Sequence, residues 1–223
     1  MVKQAVPSSD LLKDTYVIGV TGPSGSGKSL FTSSLCENLP PIFSIIREDN
    51  YYKTFSHLSF DERKLLNFDH VDSLDHTLLI SHIEALKAGK DIEGPLYDHT
   101  NHCPKKERTQ ILSQPLLIIE GILVLADPYI RELLDLRIFI DTPLDICLSR
   151  RIKRDILERG RDIESIIQQY ERYVRPMYLK FIEPTKRYAD LLVPGGGANK
   201  IALKIIYESL RHTKPRTAQK VAS

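Results

Sequence analysis

The chain of 223 residues is 42% hydrophobic and 27% charged, with a formal net charge of +2. It is long enough to bury a core of ordinary size, and its charge balance demands neither a nucleic-acid nor a membrane partner. Cys36, Cys103 and Cys147 are an odd set without metal-ligand spacing, which reads as free thiols in a reducing compartment.

Residues 1–14 are polar and are expected to form a loose arm. They lack the basic and apolar regions of a secretory signal, so a cytoplasmic protein is expected. Thr15 to Val20 is a short run of β-formers ending in glycine-rich sequence, the pattern of a buried parallel strand. A helix is expected from Lys28 to Asn38, stopped by Pro40-Pro41. Ile42 to Ile46 reads as a second strand, with acidic and aromatic residues just past its end. Leu74 to Ala88 has helical spacing and stops at Gly89. Asp91 to Leu112 reads as an inserted β-hairpin around a polar, His-rich stretch.

Leu116 to Ile119 and Leu136 to Ile140 read as the third and fourth strands. The longer apolar run from Leu116 to Ala126 carries Glu120 and is too short to cross a bilayer. A helix is expected after Asp141, with Thr142 as N-cap and Pro143 in its first turn. A charged helical region then continues to about Phe181. Ala189 to Val193 reads as the fifth strand, Gly195 to Gly197 as a tight loop and Asn199 to Leu210 as the closing helix. Alternating strands and helices predict an α/β fold over 15–211: a five-stranded parallel sheet flanked by helices, with the hairpin inserted. The basic residues 212–223 show no core pattern and read as a disordered tail.

Gly22-Pro23-Ser24-Gly25-Ser26-Gly27-Lys28-Ser29 satisfies G-x-x-x-x-G-K-[ST] between a predicted strand and a predicted helix. Such a loop turns its backbone N–H groups onto phosphate oxygens, aided by the helix N-terminus. Lys28 would reach the β and γ phosphates and the Ser29 hydroxyl would ligate Mg²⁺. Glu120 ends a predicted core strand, where open α/β sheets present ligands, and reads as the second metal group, with Gly121 letting the chain pass the phosphates. Asn199-Lys200-Ile201-Ala202 has alanine where a guanine-reading signature needs an acid, and no D-x-x-G follows the third strand. A GTPase switch is therefore not expected.

Four further segments resemble the uridine–cytidine kinase family: Asp49-Asn50-Tyr51-Tyr52, Asn67-Phe68-Asp69-His70, Tyr97 through His102, and Arg150 through Asp162. The likeness runs from about Tyr16 to Leu210. It implies a P-loop kinase fold with an Arg-rich lid, ATP or GTP as donor, Mg²⁺, and uridine or cytidine as acceptor. It also implies a homo-oligomer, a tetramer in many relatives. By resemblance Asp49 is the catalytic base or orienter of the attacking hydroxyl, and Tyr52 lines the same pocket. Asp69 would hold the ribose hydroxyls, while Tyr97 and His102 face the pyrimidine. A neutral imidazole can donate to a carbonyl or accept from an amino group, so His102 could read uracil or cytosine. Arg151, Arg161 and Gln169 would reach the nucleoside, and Arg154 and Arg159 the triphosphate. His70 reads as structural, and His99 departs from the aromatic residue often found at its position. Phosphoribulokinase- or pantothenate kinase-like chemistry is the alternative on the same fold, and a nucleotide-dependent regulatory module one of another class.

Overall fold

The computed structural model describes residues 15–37, 39–40 and 42–212. The arm expected over 1–14 and nearly all of the tail expected over 212–223 lie outside them. Five parallel strands form the main sheet: β1 (Tyr16–Thr21), β2 (Phe43–Arg47), β5 (Leu116–Glu120), β6 (Leu136–Asp141) and β7 (Leu191–Pro194). Their order is β2-β5-β1-β6-β7. β3 (Ile92–Asp98) and β4 (Cys103–Ile111) form a separate antiparallel pair. Each expected strand is present, within one or two residues of its expected ends.

Period-two alternation divides the core between the two faces of the sheet. Leu117 and Ile119 of β5 pack with Leu79, Ile83 and Leu86 of α3 (His76–Lys87). Leu116 and Ile118 pack on the other face with Phe31 and Leu35 of α1 (Lys28–Glu37) and Ile206 of α8 (Lys200–His212). All five residues of β5 are buried, Glu120 included. A buried carboxylate at the end of an otherwise apolar strand requires a partner.

The sheet order explains where the site forms. β5 lies between β1 and β2, with Val20 and Arg47 both in register with Glu120. The glycine loop after β1 and the acidic turn after β2 therefore leave the sheet on either side of Glu120. Among the described residues, no helix is long and apolar enough to cross a membrane.

Two short helices escape the sequence reading, α2 (Phe60–Lys64) and α4 (Pro128–Leu133). Each is about one turn long, too short for periodicity to register. α2 is held by a capping box between Ser59 and Glu62. Thr142 is not the N-cap expected. Pro143 occupies that place before α5 (Leu144–Arg159), and the Thr142 hydroxyl instead donates to the Ser26 carbonyl at 3.0 Å. The charged helical region is divided at Gly160, in the left-handed region, where a glycine between two arginines suits a helix end. It resumes as α6 (Ile163–Gln169) and runs on through π-helical turns and α7 (Arg175–Met177) to Ile182.

Candidate active site

The loop from Gly22 to Ser29 joins β1 to α1 in a tight turn, with Gly25 and Gly27 at φ of +85° and +95°, values that L side chains resist. Lys28 is buried, and its Nζ donates to the carbonyls of Gly22 and Pro23 at 3.0 Å each. Burial lowers its pKa, with the Glu120 charge acting against that shift. From outside, Thr142 and the Arg150 guanidinium, at 3.3 Å, both donate to the Ser26 carbonyl. The loop is thus clamped to the start of α5.

The Ser29 hydroxyl donates directly to Glu120 Oε1. Among the described residues no group of three His, Cys, Asp or Glu side chains could hold a metal alone. A hydroxyl and one carboxylate at a phosphate loop suit Mg²⁺, which keeps several waters and shares its shell with phosphate oxygens. The residues present therefore fit that ion.

Two carboxylates follow β2. Glu48 is 1% exposed. Its Oε2 accepts from the Leu123 N–H at 2.9 Å and its Oε1 lies 3.1 Å from His76 Nε2, while His76 Nδ1 lies 3.2 Å from Asp127. A Cβ on Gly121 would collide with the Glu48 side chain. Gly121 thus permits a close approach by Glu48, and it also lines the cavity with the phosphate loop. Asp49 has a 51% exposed side chain, with His99 Nε2 3.7 Å away. Burial, with Arg159 and Arg154 nearby, lowers the pKa of His99 against the pull of Asp49, so the imidazole is neutral at pH 7.

The hairpin and the segment before α3 build an aromatic wall. The Tyr52 ring lies 5.2 Å from Phe68 and 5.1 Å from Tyr97, and Phe68 stacks on His102 at 5.1 Å and 14°. His102 is the one non-glycine residue with positive φ among those described, at +51°. Asp98 shapes the turn before it, accepting from the N–H groups of Thr100 and Asn101 and from the Asn101 amide. Asn50 ties the hairpin to the β2 turn by accepting from the Tyr97 N–H at 3.2 Å. The Tyr97 hydroxyl oxygen is buried with no hydrogen-bond partner among the described residues. Burial, reinforced by Arg161 and His99, lowers the His102 pKa, so this imidazole too is neutral at pH 7.

Asp69 is buried, and burial raises its pKa against the pull of Arg151 and Lys28. It caps no helix, because Asp75 caps α3 by accepting from the Leu78 N–H. His70 is indeed held locally, its Nδ1 accepting from the Asp72 N–H. Arg151, Arg154 and Arg159 of α5 and Arg161 of the turn after it converge on Asp155, which is 0% exposed. Arg151 and Arg161 also donate to the Gln169 side-chain oxygen at 2.8 and 2.6 Å, and Arg151 to the Ser24 hydroxyl at 2.9 Å.

One cavity of about 420 Å³ gathers these groups. Lys28, Ser29, Glu120, Asp49, Tyr52, Asp69, Tyr97, His102, Arg151, Arg154, Arg159, Arg161 and Gln169 all line it, with Ser24, Gly25 and Gly27 of the loop. Gly22, Pro23 and Ser26, expected with them, are not on its wall. The model for the phosphoribulokinase/uridine kinase family matches residues 17–202. The uridine kinase of Yersinia pestis (strain Pestoides F) is 49% identical over 203 residues, which cover 89% of this chain and 95% of that protein. The uridine kinase of Yersinia enterocolitica serotype O:8 is similar to the same extent.

This chain belongs to the phosphoribulokinase/uridine kinase family.

The solved phosphoribulokinase from Rhodobacter spheroides shares the fold, at a TM-score of 0.61 and 16% identity over 86% of this chain and 74% of that one. Sequence reasoning missed, or left without a role, the cavity residues Glu48, Phe68 and His99, and Asp155 behind the arginines that line it. Phe68 stands inside the Asn-Phe-Asp-His segment already singled out, so a signal for it existed. Glu48 carried none, because its partners are distant along the chain, whereas Asp155 stood at i,i+4 spacing from Arg151 and Arg159 and only its burial was hidden.

Proposed function

We propose that this chain transfers the γ-phosphoryl group of ATP or GTP, with Mg²⁺, to the 5′-hydroxyl of uridine or cytidine, giving UMP or CMP. The observation that carries this reading is the shared cavity. The phosphate loop, Ser29 and Glu120 line the same space as Asp69, Tyr97 and His102, so donor and acceptor can meet there. Mg²⁺ at Ser29 and Glu120 would neutralise charge on the phosphates. Asp49 accepts the proton of the attacking hydroxyl, and the neutral His99 beside it leaves its negative charge uncancelled. Lys28, Arg154 and Arg159 surround the transferring group, whose catalysis is mainly positioning and electrostatic stabilisation.

The ribose hydroxyls donate to the Asp69 carboxylate, which has no hydrogen-bond donor of its own among the described residues. A buried acceptor left unpaired by a 2′-deoxy analogue disfavours that analogue. Neutral His102 and the Tyr97 hydroxyl, unpartnered among the described residues, read the pyrimidine. By the same resemblance the chain works as a homo-oligomer in the cytoplasm. The purified protein, incubated with Mg-ATP or Mg-GTP and a panel of nucleosides, ribulose 5-phosphate and pantothenate, should yield UMP and CMP by mass. Phosphorylation of ribulose 5-phosphate or pantothenate alone would overturn the acceptor.

A further inference from the structure

Asp155 is the most enclosed carboxylate on α5, and its two oxygens are divided between two pairs of arginines. Oδ1 accepts from Arg154, at 2.9 Å from Nε and 2.8 Å from Nη2, and lies 3.6 Å from Arg159 Nη1. Oδ2 lies 3.7 Å from Arg151 Nε and 3.4 Å from Arg161 Nη1. The second pair is the one that also holds Gln169. Among the described residues, Arg154 and Arg159 have no side-chain acceptor besides Asp155.

The helix end is built around the same residue. Gly160, at φ +62°, donates its N–H to the Asp155 carbonyl, and the Arg161 N–H follows at 3.1 Å. This left-handed C-cap turns the chain back so that Arg161 returns to the carboxylate. Four guanidiniums that would repel one another are held together by one buried charge, with net positive charge left facing the cavity.

We propose that Asp155 is a positioning residue for phosphoryl transfer, acting through Arg154 and Arg159. It touches no reacting atom. Its Oδ1 fixes the two arginines that face the triphosphate, while the nucleoside-side pair keeps a second tether in Gln169. The inference rests on the reaction proposed above and predicts a division between kinetic constants. Asp155→Asn keeps the shape and removes the charge. It should lower kcat about a hundredfold, the scale of a misplacement of about 1 Å, and leave KM for uridine within about threefold. In an Arg154→Ala/Arg159→Ala background the same substitution should change kcat less than about twofold, because the groups it acts through are gone.

Steady-state kinetics on the four proteins, with thermal unfolding alongside, make the test. An Asp155→Asn enzyme with near wild-type kcat, or a loss that recurs in full in the double-alanine background, overturns the proposal. Where Asp155→Asn does not fold, Asp155→Glu, which keeps the charge and shifts it by one methylene, is put through the same cycle. Failure of both to fold would make Asp155 a structural residue and end the proposal. Wild-type turnover is measured in the same assay. An inactive wild type sinks the acceptor assignment, whereas an unimpaired variant beside an active wild type sinks the role of Asp155 alone.

Discussion

Glu48 and Asp49 are neighbours of like charge with opposite environments. Glu48 is buried and fully engaged by Leu123, His76 and the bare Cα of Gly121, so it serves as a brace. Asp49 is half exposed on the cavity wall, free to approach a hydroxyl. Asp49→Asn removes the proposed proton acceptor and keeps the volume. It should lower kcat by about 10²–10⁴, the usual worth of a general base, with KM for uridine within about threefold. Steady-state kinetics read both, and an unimpaired variant would remove Asp49 from the chemistry.

At the scale of elements, the site is a set of connections after strands that brace one another. The Glu48 turn after β2 presses on the turn after β5 at Gly121, and the loop after β1 is clamped by Thr142 and Arg150. Glu48 cannot swing aside cheaply, being held at both oxygens. Gly121→Ala should therefore destabilise the protein by about 1–3 kcal/mol, the cost of overpacking. Denaturant unfolding would measure it. In a Glu48→Ala background the cost should largely vanish, since the collision partner is gone. An undiminished cost there would show that the strain arises elsewhere.

Across the whole molecule, the Glu48–His76–Asp127 chain joins the β2 turn, α3 and α4. Burial opposes the charged form of His76. Hydrogen bonds and charge from Glu48 and Asp127 outweigh it, and the pKa lies above the ordinary 6.5. The folded state thus holds a proton that the unfolded state releases first. The stabilisation is fully present below about pH 6.5 and is lost as pH rises through the folded pKa. Unfolding free energy should fall over that window, and His76→Gln should flatten the slope. A variant with the wild-type slope would rule His76 out as its source.

Local chemistry made much of this protein legible from its residues alone. Short-range rules wrote the strand alternation and the phosphate loop, because each depends on neighbours a few positions away, while the four motif segments were legible through resemblance to a family. Where competition between neighbours was close, those rules misjudged a detail: Pro143 took the cap from Thr142. What only the tertiary structure decided was which polar groups lose their water. Glu48 meets a backbone N–H 75 positions away. Asp155 sits among charges that on a simple helix surface would be solvated. Burial set the worth of both carboxylates and long-range pairing that of Glu48, and neither is a property of sequence spacing.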